Sequence, residues 1–150
     1  MWRSGMSEPT YSHSGKCHCG AISIELTFKH PADEMQVRSC QCGFCARQGS
    51  RTVSAADGRA IFTIAADRLT TYRFGTETCS ALICRSCGVY AGVIMEDGDQ
   101  ILSIANARGL GIEAFKDRDG TPLTHDGEST PDRIARRKSR WTPTEIHYTQ

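Results

Sequence analysis

The feature of this sequence that most constrains its fold is a set of eight cysteines, seven of which lie in three short groups. The groups are Cys17-His18-Cys19-Gly20, Cys40-Gln41-Cys42-Gly43-Phe44-Cys45 and Cys84-Arg85-Ser86-Cys87-Gly88. A single residue separates Cys17 from Cys19 and Cys40 from Cys42, which is too close for easy disulfide geometry. A glycine follows one cysteine in each group, as suits a tight turn. The pattern therefore indicates thiolates that converge on metal ions.

The rest of the sequence favours a compartment in which these thiols stay reduced. Residues 1–15 are polar and contain no apolar segment, so we predict no signal peptide. No run approaches the roughly 18 apolar residues that a membrane-spanning helix needs. We therefore expect a cytoplasmic protein with no membrane partner, whose clustered cysteines bind metal.

The cysteine groups divide into two candidate zinc sites. The first site, here called the quartet, consists of Cys17, Cys19, Cys84 and Cys87, and the second, the triplet, consists of Cys40, Cys42 and Cys45. Four protein ligands make a closed, structural zinc site, whereas three leave a position for water or substrate. An alternative stays open, in which Cys79 is the fourth ligand of the triplet and both zinc sites are structural.

Apolar residues alternate with polar ones in several short segments, and this pattern predicts an all-β domain of meandering antiparallel sheets. The predicted strands are Ala21–Phe28, Arg59–Ala65, Leu69–Phe74, Ser80–Cys84, Val89–Met95, Gln100–Ala105 and Glu145–Tyr148. Glycine and aspartate turn residues separate several of them, for example Asp57-Gly58.

We expect one domain over residues 15–150, preceded by a disordered lead over residues 1–14. The segment Asp117–Thr130 is rich in Asp, Gly, Thr and Pro and is predicted to be a surface loop. A short helix is predicted over Pro131–Ser139, because Thr130 can cap it and proline suits the first helical position.

The three cysteine groups, taken in order with other segments, resemble the glutathione-dependent formaldehyde-activating enzyme family, which includes the domain of centromere protein V. The segments that carry the likeness are Gly15–Ala21, Cys40–Arg47, Leu69–Phe74, Cys84–Gly88 and Ala105–Leu110. Beyond Gly111 little matches. Near the triplet this chain has Gln41 and Gly43 where the family usually has Asn and Ser.

The resemblance implies a β-tent fold, two zinc ions per chain and a carbon–sulfur lyase that acts on glutathione adducts, similar to S-(hydroxymethyl)glutathione synthase. By position, the quartet matches the family's structural zinc ligands, and the triplet matches the ligands of its second, labile zinc. A small thiol such as glutathione is then the expected partner. The alternative function is a zinc scaffold or protein-interaction module without catalysis, and a homo-oligomer is left open.

Two sets of cationic residues are further candidates. Arginines that flank the cysteine groups could orient the carboxylates of glutathione, namely Arg38, Arg47, Arg51 and Arg85. A basic run near the C-terminus, with Trp141 beside it, could contact phosphates and consists of Arg133, Arg136, Arg137, Lys138 and Arg140. The net charge of only +1 argues against a nucleic-acid partner. For both sets a solvated surface is the simpler interpretation.

The five histidines give no competing active site. His18 lies between two quartet cysteines and is expected to face solvent. The remaining four are isolated in the sequence and are expected at the surface: His13, His30, His125 and His147.

Overall fold

Eleven strands form one mixed sheet in the computed structural model, which describes residues 9–150. The strands are β1 (Tyr11–Lys16), β2 (Ile22–Phe28), β3 (Arg38–Cys40), β4 (Thr52–Val53), β5 (Arg59–Ala65), β6 (Leu69–Tyr72), β7 (Ser80–Cys84), β8 (Tyr90–Asp97), β9 (Gln100–Asn106), β10 (Thr121–Leu123) and β11 (Thr142–Thr149). The helices are α1 (Gly43–Gln48) and α2 (Thr130–Arg140), and single 3-10 turns lie at Ala32–Glu34 and Ala66–Arg68. The predicted class, all-β with a short C-terminal helix, is confirmed.

The sheet is mostly antiparallel, but two of its pairings are parallel. The order of strands is β1-β2-β5-β11-β9-β4-β3-β10, and β8, β7 and β6 continue from β9 as a branch. Strand β11 runs parallel to β5, and β10 runs parallel to β3. The expectation of purely antiparallel sheets is wrong at these two places. Both pairings join segments far apart in the chain, and parallel neighbours require such long connections.

Every strand predicted from the sequence is present, with shifts of a few residues at some ends. Two predictions need correction. Residues 11–14 of the supposed disordered lead belong to β1, which pairs along its whole length with β2. The supposed loop Asp117–Thr130 contains β10. Residues 1–8 of the predicted lead lie outside the described residues.

The main core lies on one face of the paired neighbouring strands β2 and β5. The apolar face of β2 is at most 2% exposed, and its members are Ile22, Ile24, Leu26 and Phe28. Phe62 and Ile64 of β5 are fully buried against it. Cys17 and Cys84 belong to the same buried cluster, so the quartet is continuous with this core.

Helix α2 packs on a second cluster of buried residues, formed mainly by β8 and β9. Trp141, which ends the helix, is 6% exposed and lies in this cluster with Tyr90 and Leu102. The helix cap is Ser129 rather than the predicted Thr130, because the Ser129 hydroxyl accepts a 3.2 Å hydrogen bond from the Asp132 N–H. No helix of the described residues is long and apolar enough to cross a membrane.

Replacing Gly15 by Ala is expected to destabilise the fold by about 2 kcal/mol, since a Cβ there would overlap the Leu110 carbonyl and lie 2.7 Å from the Ile112 side chain. Thermal or denaturant unfolding measures the change. Ser14→Ala, at the exposed neighbouring position of β1, is the control and should leave stability nearly unchanged. Equal stability of the two variants would contradict the close approach of β1 to the Leu110 segment.

Candidate metal centres

The quartet is built from two similar turns that face each other. In the first turn the Gly20 N–H donates to the Cys17 carbonyl over 3.0 Å, and in the second the Gly88 N–H donates to the Cys84 carbonyl over 2.9 Å. Both glycines have positive φ, 86° and 83°, a backbone conformation that side chains disfavour. These glycines let each pair of thiols converge from one turn.

The four quartet sulfurs lie within 4.8 Å of one another. The Cys17 and Cys19 sulfurs are 3.8 Å apart, and those of Cys19 and Cys84 are 3.5 Å apart. Tetrahedral zinc with Zn–S bonds of about 2.3 Å holds its sulfurs roughly 3.8 Å apart. All eight cysteines are free thiols. The donor set and its spacing therefore fit a closed four-thiolate zinc site.

Backbone N–H groups point at the quartet sulfurs. The Ile22 N–H lies 3.3 Å from the Cys17 sulfur and the Cys87 N–H lies 3.4 Å from the Cys84 sulfur. Burial raises the pKa of Cys17 to about 11. Burial also raises the pKa of Cys87, but hydrogen bonds from the backbone at Val89 and from neighbouring thiols outweigh it and leave that pKa at about 6. The quartet thus favours a negative charge on the Cys87 sulfur over one on the buried Cys17 sulfur.

The triplet is built from the end of β3 and the first turn of α1. The Cys42 side chain caps the helix by accepting the Cys45 N–H over 3.3 Å, which places these two sulfurs on one face. Cys40 is the last residue of β3, and the three sulfurs lie within 4.8 Å of one another. Gly49 ends the helix with φ of 60°. Helix α1 thus places the Cys42 and Cys45 sulfurs close to the Cys40 sulfur.

The triplet sulfurs lie close enough to shift one another's pKa, and a buried hydroxyl lies next to them. Hydrogen bonding from the Cys45 thiol lowers the pKa of Cys40 to about 5, and the same contact raises the pKa of Cys45. The Tyr90 hydroxyl is buried and has no hydrogen-bond partner in the described part of the chain. Burial and the nearby Cys45 sulfur raise its pKa. This arrangement suits a cation held among the sulfurs.

The triplet opens into a cavity of about 140 Å³. Apolar side chains line part of it and include Phe74, Val93, Ile104 and Trp141. Cys79 also lines this cavity, yet it lies outside the group of mutually close triplet sulfurs. The geometry therefore leaves the triplet with three sulfur donors and an accessible face, and gives no support for Cys79 as its fourth ligand.

Of the four arginines that flank the cysteine groups, only Arg38 lines the cavity. Arg47 donates to the Gly43 carbonyl, Arg51 to the Ser50 carbonyl, and Arg85 approaches the Asp67 carbonyl. Of these four arginines, Arg38 is therefore the one placed where it could orient a substrate in the cavity.

The basic C-terminal run does not form the solvated helix face that the sequence predicts. Four of its five members line the cavity: Arg133, Arg136, Arg137 and Arg140. Lys138 instead makes a 3.3 Å ion pair with Asp97. No sequence pattern indicates this placement, because it depends on long-range packing, in which Trp141 at the end of the helix is buried with residues of β8 and β9.

His125 also lines the cavity, contrary to the expectation of an isolated surface histidine. The parallel pairing of β10 with β3 brings it there, since Leu123 is aligned with Cys40 and its carbonyl accepts the Gln41 N–H over 2.8 Å. Burial, followed by the charge of Arg136, lowers the pKa of His125. His18 is exposed, as predicted.

Fold and site together define an all-β protein with two cysteine clusters that could bind zinc, one closed and one open to a cavity. The family model of the glutathione-dependent formaldehyde-activating enzyme matches residues 12–110, and the chain belongs to that family. A crystal structure of a Rhodobacter sphaeroides protein is 26% identical, with 91% of this chain and 99% of that chain covered and a TM-score of 0.47.

Serine variants are expected to separate the two clusters. Cys84→Ser should lower the zinc content and reduce the melting temperature by roughly 10 °C or more, because metal affinity in a closed site is part of the folding free energy. Cys42→Ser should lose one zinc ion and keep most of the stability, because the triplet closes only a short loop. Elemental analysis and thermal melts measure both effects.

Cys79→Ser is the matched control and should retain two zinc ions. Loss of a zinc ion from this variant would make Cys79 a ligand. Equal loss of stability in the Cys84 and Cys42 variants would contradict the difference between the quartet and the triplet.

Proposed function

We propose that the quartet holds a structural zinc ion, that the triplet holds a second zinc ion at a working site, and that the chain forms and cleaves the carbon–sulfur bond between a thiol and formaldehyde. Glutathione, or another thiol, is the proposed substrate. The observation that carries the proposal is the opening of the triplet into a lined cavity. Family membership supports the same reaction class, that of a carbon–sulfur lyase.

The donor chemistry of the triplet suits this role. A zinc ion held by three thiolates has one open position, at which it would deprotonate an incoming thiol. The three triplet cysteines line the cavity, so a ligand in the cavity could reach their sulfurs and a zinc ion that they would hold. With Cys79 in the cavity wall rather than among the triplet sulfurs, the fourth position stays free for substrate.

The proposed reaction balances without any redox partner. The sulfur lone pair of the thiol attacks the carbonyl carbon of formaldehyde and forms the carbon–sulfur bond. The π electrons move to the oxygen, which takes the proton that the thiol has lost. Cleavage reverses these steps. His125 lines the cavity, and its ring in the neutral form can accept that proton and hold it between the two events.

The remaining cavity residues orient the substrate and limit the access of water. Phe74, Val93 and Trp141 supply an apolar wall, which strengthens electrostatic contacts inside the cavity. Arginines of α2 supply donors for carboxylate oxygens. A cytoplasmic location, in which free thiols persist, agrees with this chemistry and is part of the proposal.

We expect glutathione to change the coordination of one metal ion and to leave the other unchanged. Cobalt(II) can replace zinc at thiolate sites, and its visible absorption reports the ligands around it. Glutathione should alter the spectrum of the cobalt-loaded chain, and S-methylglutathione, which has no free thiol, should not. In Cys42→Ser, which keeps the quartet, the glutathione response should vanish.

A second experiment distinguishes catalysis from binding alone. It measures the rate at which isotope-labelled formaldehyde exchanges with its thiol adduct. The wild-type chain should accelerate the exchange at least about tenfold over Cys42→Ser. Lys138→Gln, which changes a residue outside the cavity, is the control and should match the wild type. A spectral response that persists in Cys42→Ser, or equal exchange rates, would favour the scaffold without catalysis.

A further inference from the structure

The wall of the cavity that faces the triplet is strongly cationic. Five arginines line it, Arg38 from β3 and Arg133, Arg136, Arg137 and Arg140 from α2. Asp126 is the acidic residue of the lining. Helix α2 lies beyond the 12–110 segment that the family model covers, whereas Arg38 lies within it. Four of the five positive charges are therefore supplied by the C-terminal part of this chain.

Part of the positive charge is already neutralised. Glu128 accepts both Nε and an Nη donor of Arg136, at 3.0 and 3.1 Å, and lies 3.6 Å from Arg133. Within the described residues, Arg38, Arg137 and Arg140 make no ion pair with a carboxylate. These three guanidinium groups leave an excess of positive charge at the cavity.

Arg137 is the clearest of these unpaired cations. Its side chain is only 7% exposed and its Nε has no hydrogen-bond partner in residues 9–150. Its other contacts are the Thr78 hydroxyl at 2.5 Å, the Met95 sulfur at 3.9 Å and the Trp141 ring at 5.1 Å. A buried guanidinium without an anionic partner is costly, and a carboxylate in the cavity would satisfy it.

The cationic groups also crowd one another. Burial, together with the nearby charges of Arg140 and Arg136, lowers the pKa of Arg38 to about 10. Repulsion of this kind is relieved when an anion lies between the cations. Geometry and charge therefore both favour an anionic ligand.

The size of the cavity limits what that ligand can be. Its volume of about 140 Å³ is roughly half of the smallest pockets that hold drug-sized ligands, which begin near 300 Å³. A tripeptide such as glutathione would extend well outside it. A thiol with two or three carbon atoms and one carboxylate would fit within it.

We propose that this cavity selects a compact thiol that carries a carboxylate a few bonds from its sulfur. The sulfur faces the triplet, and the carboxylate pairs with the α2 arginines, Arg137 first among them. This inference rests on the proposed function only in that a thiol binds at the triplet. It adds that Arg137 and Arg140 are the residues that determine which thiol is taken.

The arginines have a second explanation that the experiment must separate. Three thiolates around one zinc ion carry a net charge of −1, and nearby cations would stabilise that charge whatever the ligand. In that case removal of an arginine would weaken the binding of neutral and anionic thiols alike.

The test is calorimetric titration of the zinc-loaded full chain with 3-mercaptopropionate, 2-mercaptoethanol and glutathione. The anionic compact thiol should bind at least tenfold more tightly than the neutral one, and more tightly than glutathione. Arg137→Gln should remove most of that preference, and Arg140→Gln, at an exposed position less critical for folding, should reduce it several-fold. Lys138→Gln removes the same charge from the same helix outside the cavity and should leave the preference intact.

Each other outcome overturns a definite part of the account. Equal binding of the charged and neutral thiols, or an equal loss of both in Arg137→Gln, would overturn the selection of a carboxylate and leave the proposed function standing. Tighter binding of glutathione would overturn the size limit. No binding of any thiol would overturn the proposed function itself.

Discussion

The structure depends on the meeting of four thiols from two turns that lie 65 residues apart in the chain. One turn leads into β2, at the centre of the main core, and the other connects β7 to β8. Thiol groups alone gain little by such proximity, because Cys17 is buried and its raised pKa opposes the charged form. A zinc ion held by the four sulfurs would turn this unfavourable cluster into a crosslink between the two turns.

The triplet is built locally, unlike the quartet, whose cysteines come from two distant segments of the chain. Its cysteines come from one short segment, so its geometry is local, and the rest of the chain contributes the cavity around it. Parallel pairing of β10 with β3 brings His125 to one side, and the packing of Trp141 brings the α2 arginines to the other. In the proposed function, the closed cluster would stabilise the fold and the open cluster would carry the chemistry.

The sequence predicted the strands with apolar alternation, such as Arg59–Ala65, because burial on one face leaves a period of two. It missed β1, whose residues Tyr11–Lys16 are polar and which forms only by pairing with β2. The cysteine groups could be found because metal ligands need close spacing. The cavity could not, since His125 and Arg137 are remote in sequence and reach the triplet only through long-range packing.

The central claim is that one closed and one open zinc site exist in the same chain, and stepwise removal of metal tests it most directly. Native mass spectrometry of the zinc-loaded chain, with a chelator added in increasing amounts, counts the ions while the charge-state distribution reports folding. The account predicts early loss of one zinc ion to give a folded species with a single zinc, and loss of the second only together with unfolding. Loss of both ions in one step, or unfolding on loss of the first, would contradict it.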